Sequence, residues 1–438
     1  MDNLESNYTA IIAKIDRTVA IPKADNIHIA MVLGESVVVS KEWKEGMLGV
    51  FFPSDSQLSE KYCYHNNLNR DSSKNADTEK KGFFDTNRKV RCQPFLKVRS
   101  EAFFTHLDSL SWAGDVSKLK LGSKFEDFNG EHICKKFISE VTLRKMNNKV
   151  KSNKKKTRIT ETPMFNQHVS TSQYKHNTHN IEKGNLLSFH AKVHGTSARY
   201  SYSKIISKPF TFKEKVLDYF GMFNNTSWDY LVGTRRVTLY QDQYNKEGFH
   251  GSEQYRFDVL DQLKPYLEKG MTVYGEIAGY ANGKPIMGVH STDTLKDKSF
   301  KKKYSKEMIY KYGCLEDQQR FHIYRITYTN ESGKELDFSD KQVHKWCSGR
   351  GLLSPLEVNK QLLFDGDIES LNDLVDSLTE RPEVMCEDFI DPSHVSEGII
   401  IRVDKGYNTP LFLKSKSYAF KVMEGIFKET NIDEEDAS

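Results

Sequence analysis

Lys192 stands three residues before Gly195 in "HAKVHGTSARY", residues 190–200, at the close of the apolar-polar stretch "NLLSFHAKV". Of the 26 glycines in the chain, Gly195 alone has a lysine three positions ahead of it. A lysine becomes a nucleophile once it loses its proton, and neighbouring cations with partial burial lower its pKa enough to allow that near neutrality. Taken singly, the pair is an ordinary strand-end lysine before a glycine turn. Four further segments accompany it: "TVYGEIAGY" with Glu276, "RFHIYRITY" with Phe321 and Tyr324, "EGIIIRVD" with Glu397, and "LFLKSKSYAF" with Lys414 and Lys416. Carboxylates hold divalent metals, an aromatic ring stacks on a purine, and paired lysines offset charge on a phosphate. Together these residue types suit chemistry at a nucleotide phosphate.

The elements that must position them divide the chain in two. With 438 residues and 37% hydrophobic content, the chain can bury substantial cores and is long enough for two or three domains. Residues 8–53 are β-rich, in "YTAIIAKIDRTVAI", "NIHIAMVLGESVVVS" and "GMLGVFF", and a further strand pair is expected in "RKVRCQPFLKVRSEAFF". One helix is expected near "SQLSEKYCYHN". Short strands without a βα rhythm predict a small closed barrel over residues 1–125, with the OB-fold as a candidate. Residues 126–165 turn polar and rich in Lys and Asn, which predicts a basic linker. Residues 166–438 mix strands with helical patterns at "DIESLNDLVDSL" and "KQVHKWCSG", which predicts an α+β domain built on antiparallel sheets.

The order lysine, acid, aromatic, acid, paired lysines resembles motifs I, III, IIIa, IV and V of the covalent nucleotidyltransferases, the superfamily of polynucleotide ligases and RNA-capping enzymes. The barrel-like region precedes Lys192, and only 22 residues follow Lys416, whereas capping enzymes and most DNA ligases carry an OB module after motif V. In that order and in the wording "KVHGTSAR", "YGEIAG", "YRITY" and "EGIIIR", the chain is similar to the Deinococcus-type RNA ligases. The resemblance implies an ATP-dependent RNA ligase that uses Mg2+ or Mn2+ and joins a 5′-phosphate to a 3′-hydroxyl end, at nicks in duplex. It passes through a lysyl-adenylate and an adenylated 5′ end. It implies Lys192 as the nucleophile, Glu276 near the ribose and metal, Glu397 on the metal directly or through water, and Lys414 and Lys416 on the phosphate. Gly195 belongs to the nucleotide site in this scheme, Tyr324 or Phe321 stacks on the base, Arg199 contacts the nucleotide, and His168 and Gln173 read the base edge. Arg402 departs from the family, standing where many ligases have a motif IV lysine and changing the hydrogen-bond geometry. The alternatives are a GTP-dependent capping guanylyltransferase and a relative that binds nucleic acid without catalysis.

The remaining features narrow the partners. Net charge is +4, yet "KVKSNKKKTR" (149–158) carries six cations and no acid, and "KDKSFKKKYSK" (296–306) is also lysine-rich. Such runs are solvated loops or contacts to the phosphates of RNA or an RNA-containing nicked duplex. The six cysteines form no CxxC pair, so neither a zinc ribbon nor a disulfide framework is expected. His176 and His179 in "HNTHN" lack further nearby ligands, and "GYANGKP" lacks phosphate-loop spacing. The polar, acidic start "MDNLESNYTA" and the lack of a long apolar run predict a cytoplasmic monomer with no membrane partner.

Overall fold

The computed structural model describes residues 8–95, 98–138, 159–209, 211–239, 247–248, 251–294, 298–380, 387–406 and 408–424. The chain forms two compact units, residues 1–152 with 293–297 and 421–438, and residues 153–292 with 298–420.

The first unit is built on the long strand Ala10–Ala20, whose alternating residues feed cores on both of its faces: Ala10 and Ile12 join one, Ile11, Ala13 and Ile15 the other. Its first half pairs antiparallel with Leu48–Pro53 and its second half with Ile27–Val32, across an irregularity between Ile15 and Arg17 that bends the sheet. Glu35–Ser40 and Ala102–His106 end the strand order, and Lys124–Phe125 adds to Ala10–Ala20. The two end strands are stitched together: Ser36 N donates to Glu101 (3.1 Å), Glu101 N returns a bond to Ser36 O (2.7 Å), and Val38 N donates to Ser100 Oγ (3.0 Å). The sheet is thereby nearly closed into the expected barrel. Ser59 caps the expected helix, Glu60–His65.

The expected linker over 126–165 is too wide at both ends. Cys134–Lys136 pairs with Ser56–Leu58, and Ile133 and Cys134 are fully buried in the first unit. Ile159–Glu161 pairs with Thr196–Ser207 in the second, where Met164 and Phe165 are buried. These short apolar pairs demand burial although the surrounding composition is polar. The 149–158 run, Cys386 and the start of the 296–306 run lie outside the described residues.

The second unit packs two sheets. The larger has the order Thr238–Leu239, Thr226–Gly233, Thr196–Ser207, Met271–Ala281, Gln319–Thr329, Glu335–Asp337. The smaller has the order Thr171–Gln173, Asn408–Lys416, Gly398–Lys405, Leu186–Ala191, Glu357–Leu363. Their pairings are antiparallel except for Thr171–Gln173 on Asn408–Lys416, which is parallel. Gln254–Leu263 and Asp340–Ser348 bury Leu260, Val343 and Trp346 against the larger sheet, and Ile368–Thr379 buries Leu371 and Val375 against the smaller. The last two helices coincide with the expected helical patterns, and no described helix is long and apolar enough to cross a membrane.

Candidate active site

Lys192 follows the last residue of Leu186–Ala191, and its backbone N–H still donates to Gly398 O (2.9 Å), so the ladder holds the chain up to the lysine. The turn beyond it crosses Met271–Ala281 closely. A Cβ on Gly195 would lie 2.3 Å from Ile277 O and 3.0 Å from Glu276 Cγ, so only glycine lets this turn approach the acid. Arg256 then anchors the next strand, donating to Ser197 O (2.8 Å) and Thr196 Oγ1 (2.7 Å).

Glu397, 2% exposed, gathers the cations. Its Oε2 receives Lys192 Nζ at 2.8 Å and faces His194 Nδ1 at 3.2 Å, while its Oε1 lies 3.1 Å from Lys416 Nζ. Burial alone would raise the Glu397 pKa, but Lys192, Lys416 and His194 hold it well below the ordinary carboxylate value. Lys416 is also 4.5 Å from the Phe420 ring centre.

Lys192, Glu276, Tyr324, His168 and Lys414 line one cavity of about 220 Å³, and with them Arg235, His190, His322 and Phe412. Desolvation, with Lys416 and Lys192 beside it, brings the Lys414 ammonium down to about 7. Desolvation, together with the charge of Glu397, pushes Glu276 up to about 7 against the opposing pull of Lys192. Burial, followed by Arg325, lowers His168 to about 3, so its ring is neutral; it stands edge-on to Tyr324 at 4.8 Å.

The two aromatic candidates part company. In the Gln319–Thr329 strand, Glu276 pairs with His322 and Ile277 with Phe321, and the register shifts between Tyr274 and Gly275, leaving Tyr324 as the extra residue. Tyr324 shares its strand face with His322, and both line the cavity, where the tyrosine hydroxyl meets Ser197 Oγ at 3.3 Å. Phe321 faces the opposite side, edge-on to Tyr200 at 5.1 Å and so tight over Gly275 that a Cβ there would lie 2.4 Å from its ring.

Two expected site residues, Arg199 and Gln173, lie outside the cavity lining. Arg199 is buried away from the cavity, donating to Phe165 O and Asn166 O (2.7 Å each) and Thr234 O (3.1 Å), with its guanidinium 4.1 Å from the Phe165 ring centre. Gln173 pairs with Lys414 along the parallel ladder and is not among the cavity residues, whereas Thr171 is. Arg402 is a brace, bonded to Asp404 (2.8 Å) and Phe338 O. Sequence reasoning missed Arg235 and His190; nothing in "GTRRV" marks Arg235, but His190 sits two residues before Lys192 on the same strand face.

A two-sheet domain with an ion-paired strand-end lysine, preceded by a nearly closed barrel, defines a class that comparison with known proteins makes specific. Residues 188–423 match the family model described as RNA ligase, and the chain belongs to that family. Residues 9–94 match a model of an OB-fold domain. The fold is shared with solved structures of a Naegleria gruberi RNA ligase. A lysine-to-methionine variant with AMP and Mn gives 14% identity and a TM-score of 0.56 over 94% of this chain and 97% of that one. An aspartate-to-alanine variant without ligand gives 14% and 0.57 over 94% and 96%. A lysine-to-alanine variant with ATP and Mn gives 14% and 0.55 over 94% and 97%. At this identity the likeness is one of fold. No curated protein matches the chain.

Proposed function

We propose that the protein is an ATP-dependent RNA ligase that seals 5′-phosphate to 3′-hydroxyl RNA ends, at nicks in duplex. The observation that carries this reading is that Lys192, in contact with Glu397, lines one cavity with Lys414, Glu276 and Tyr324. Tyr324 offers a ring to the adenine, and Lys414 and Arg235 face the phosphates. The Lys192 amine attacks the α-phosphorus: an N–P bond forms, the bond to pyrophosphate breaks, and the amine gives up its proton. AMP then passes to the 5′-phosphate, and the 3′-hydroxyl displaces it to seal the strand.

Glu276 and Glu397 supply hard oxygen donors of the kind that suit Mg2+ or Mn2+. Glu397 already faces the Lys192 and Lys416 ammonium groups and the His194 ring, so it fits such an ion through water better than by direct coordination. The ion would supply charge neutralisation at the phosphate, and its charge beside Lys192 would favour the neutral amine.

The test is incubation with α-labelled ATP or GTP and Mg2+ or Mn2+, followed by denaturation. Label retained from ATP is expected; label from GTP alone would favour a capping enzyme, and none a binding protein without catalysis.

A further inference from the structure

We propose that His190, Asp340 and His344 bind a zinc-type divalent cation; of the three, His190 also lines the cavity that holds Glu276. Asp340 and His344 lie four residues apart on the helix Asp340–Ser348, hence on one face, and His190 reaches them from the strand Leu186–Ala191. His190 and Asp340 are 4% and 2% exposed. His190 Nε2 lies 3.1 Å from Asp340 Oδ1 and His344 Nε2 lies 3.8 Å from Asp340 Oδ2. One ligand atom from each of the three falls within 4.8 Å of the other two. Bonds of about 2.0–2.1 Å in a tetrahedron separate neighbouring donors by about 3.3–3.4 Å. The distance from His190 Nε2 to Asp340 Oδ1 is close to that edge, whereas His344 Nε2 stands nearer the other carboxylate oxygen, and a small turn of either side chain would bring the three donors around one ion.

A second observation points to a ligand. Nε2 of His190 and Nε2 of His344 are buried and make no aligned hydrogen bond, though both face the same carboxylate. The surrounding contacts orient the donors instead. Ser354 Oγ meets His344 Nδ1 at 2.9 Å; with Nδ1 donating, the Nε2 lone pair points to the centre. Gln361 Nε2 donates to Asp340 Oδ2 (3.2 Å) and to Ser188 Oγ (3.0 Å). The nearby guanidinium of Arg402 is engaged by Asp404 at 2.8 Å, which tempers its repulsion of a cation. Two imidazoles and one carboxylate select Zn2+ and its transition-series neighbours over Mg2+, which asks for oxygen donors. Three protein ligands leave a fourth position open. Such an ion would tie the strand Leu186–Ala191, which leads into Lys192, to a helix packed on the other sheet.

The experiment uses the full-length protein. Metal analysis after purification without chelator should find about one zinc per chain. Co2+ added after chelation should give the intense visible absorption of tetrahedral cobalt, and zinc should raise the thermal midpoint. His344→Ala should lose most of the cobalt absorption and the zinc-dependent shift, as should the isosteric Asp340→Asn. Glu397→Ala should keep both, which separates this site from Glu397. A folded wild-type protein with neither cobalt bands nor a zinc-dependent midpoint overturns the proposal and leaves a plain hydrogen-bonded triad; so do bands that survive unchanged in both variants. Neither result bears on adenylation, which is read separately from labelled ATP.

Discussion

Two buried ion clusters in the second unit are built with opposite imbalance. Arg325, 0% exposed, is one cation held by two acids: its Nε and Nη2 meet Asp337 at 2.5 and 2.8 Å, and Nη2 also meets Glu335. Glu397 is one acid surrounded by Lys192, Lys416 and His194, with Lys414 nearby. In the first, bidentate geometry pins the Glu335–Asp337 strand to the strand bearing Tyr324, and burial's downward pull on Arg325 is overcome by the carboxylates, raising its pKa. In the second, the lysines outnumber the carboxylate, and burial, with Lys416 and Lys192 adding to it, brings the Lys414 ammonium down to about 7. Charges saturated within the protein make a scaffold. Cations left in surplus around a cavity make a place for an anion, and removing one should help the empty fold while harming the reaction.

The largest effect is expected from Lys192→Ala, which should leave no label from α-labelled ATP on the denatured protein, because it removes the amine proposed to form the N–P bond. Sealing of a strand adenylated beforehand should persist, slowly. Full labelling of the variant would remove Lys192 from the centre of the comparison.

Lys414→Met should lower the adenylation rate by about 10²–10³, the usual cost of losing one preorganised charge contact. Its stability should move the other way. The folded pKa lies below the unfolded value of 10.5, so the unfolded chain binds more protons between about 7 and 10.5 and stability rises with pH in that window. The penalty of Lys414 is therefore full below about pH 7 and fades toward 10.5. The variant should melt higher than the parent, most clearly below pH 7; a lower midpoint there would break the comparison.

For the saturated cluster, Arg325→Met should cost about 3–5 kcal/mol in urea unfolding, because it leaves Glu335 and Asp337 without their cation. If it instead stabilises the protein as Lys414→Met should, the two clusters are not different in kind.

The smallest contrast sets the aromatic neighbours apart. Tyr324→Leu should weaken ATP binding by about 1–3 kcal/mol, the range found for one base stacked on a ring. Phe321→Leu should leave that affinity alone and lower the melting temperature. Equal losses of affinity in both would mean that the strand face does not set the ring that meets the base.

The sequence by itself determined the order of the chemistry-bearing residue types along the chain. Of the residues so singled out, Lys192, Glu276, Glu397 and Lys414 do converge. The first barrel was legible because apolar residues alternate with a period of two along strands such as Ala10–Ala20. Tertiary structure alone decided the rest. Both Phe321 and Tyr324 are aromatic candidates in one dimension, and strand alternation puts them on opposite faces, but only the packing of the two faces decides that Phe321 meets the core and Tyr324 the cavity. Arg199, the arginine nearer the lysine in sequence, faces backbone carbonyls, whereas Arg235 stands at the cavity wall. Glu397 reaches Lys192 from 205 residues away through the antiparallel pairing of Leu186–Ala191 with Gly398–Lys405. Local pattern carries periodicity and residue type, whereas charge balance is a sum over neighbours in space, and those neighbours are set only when the sheets pair.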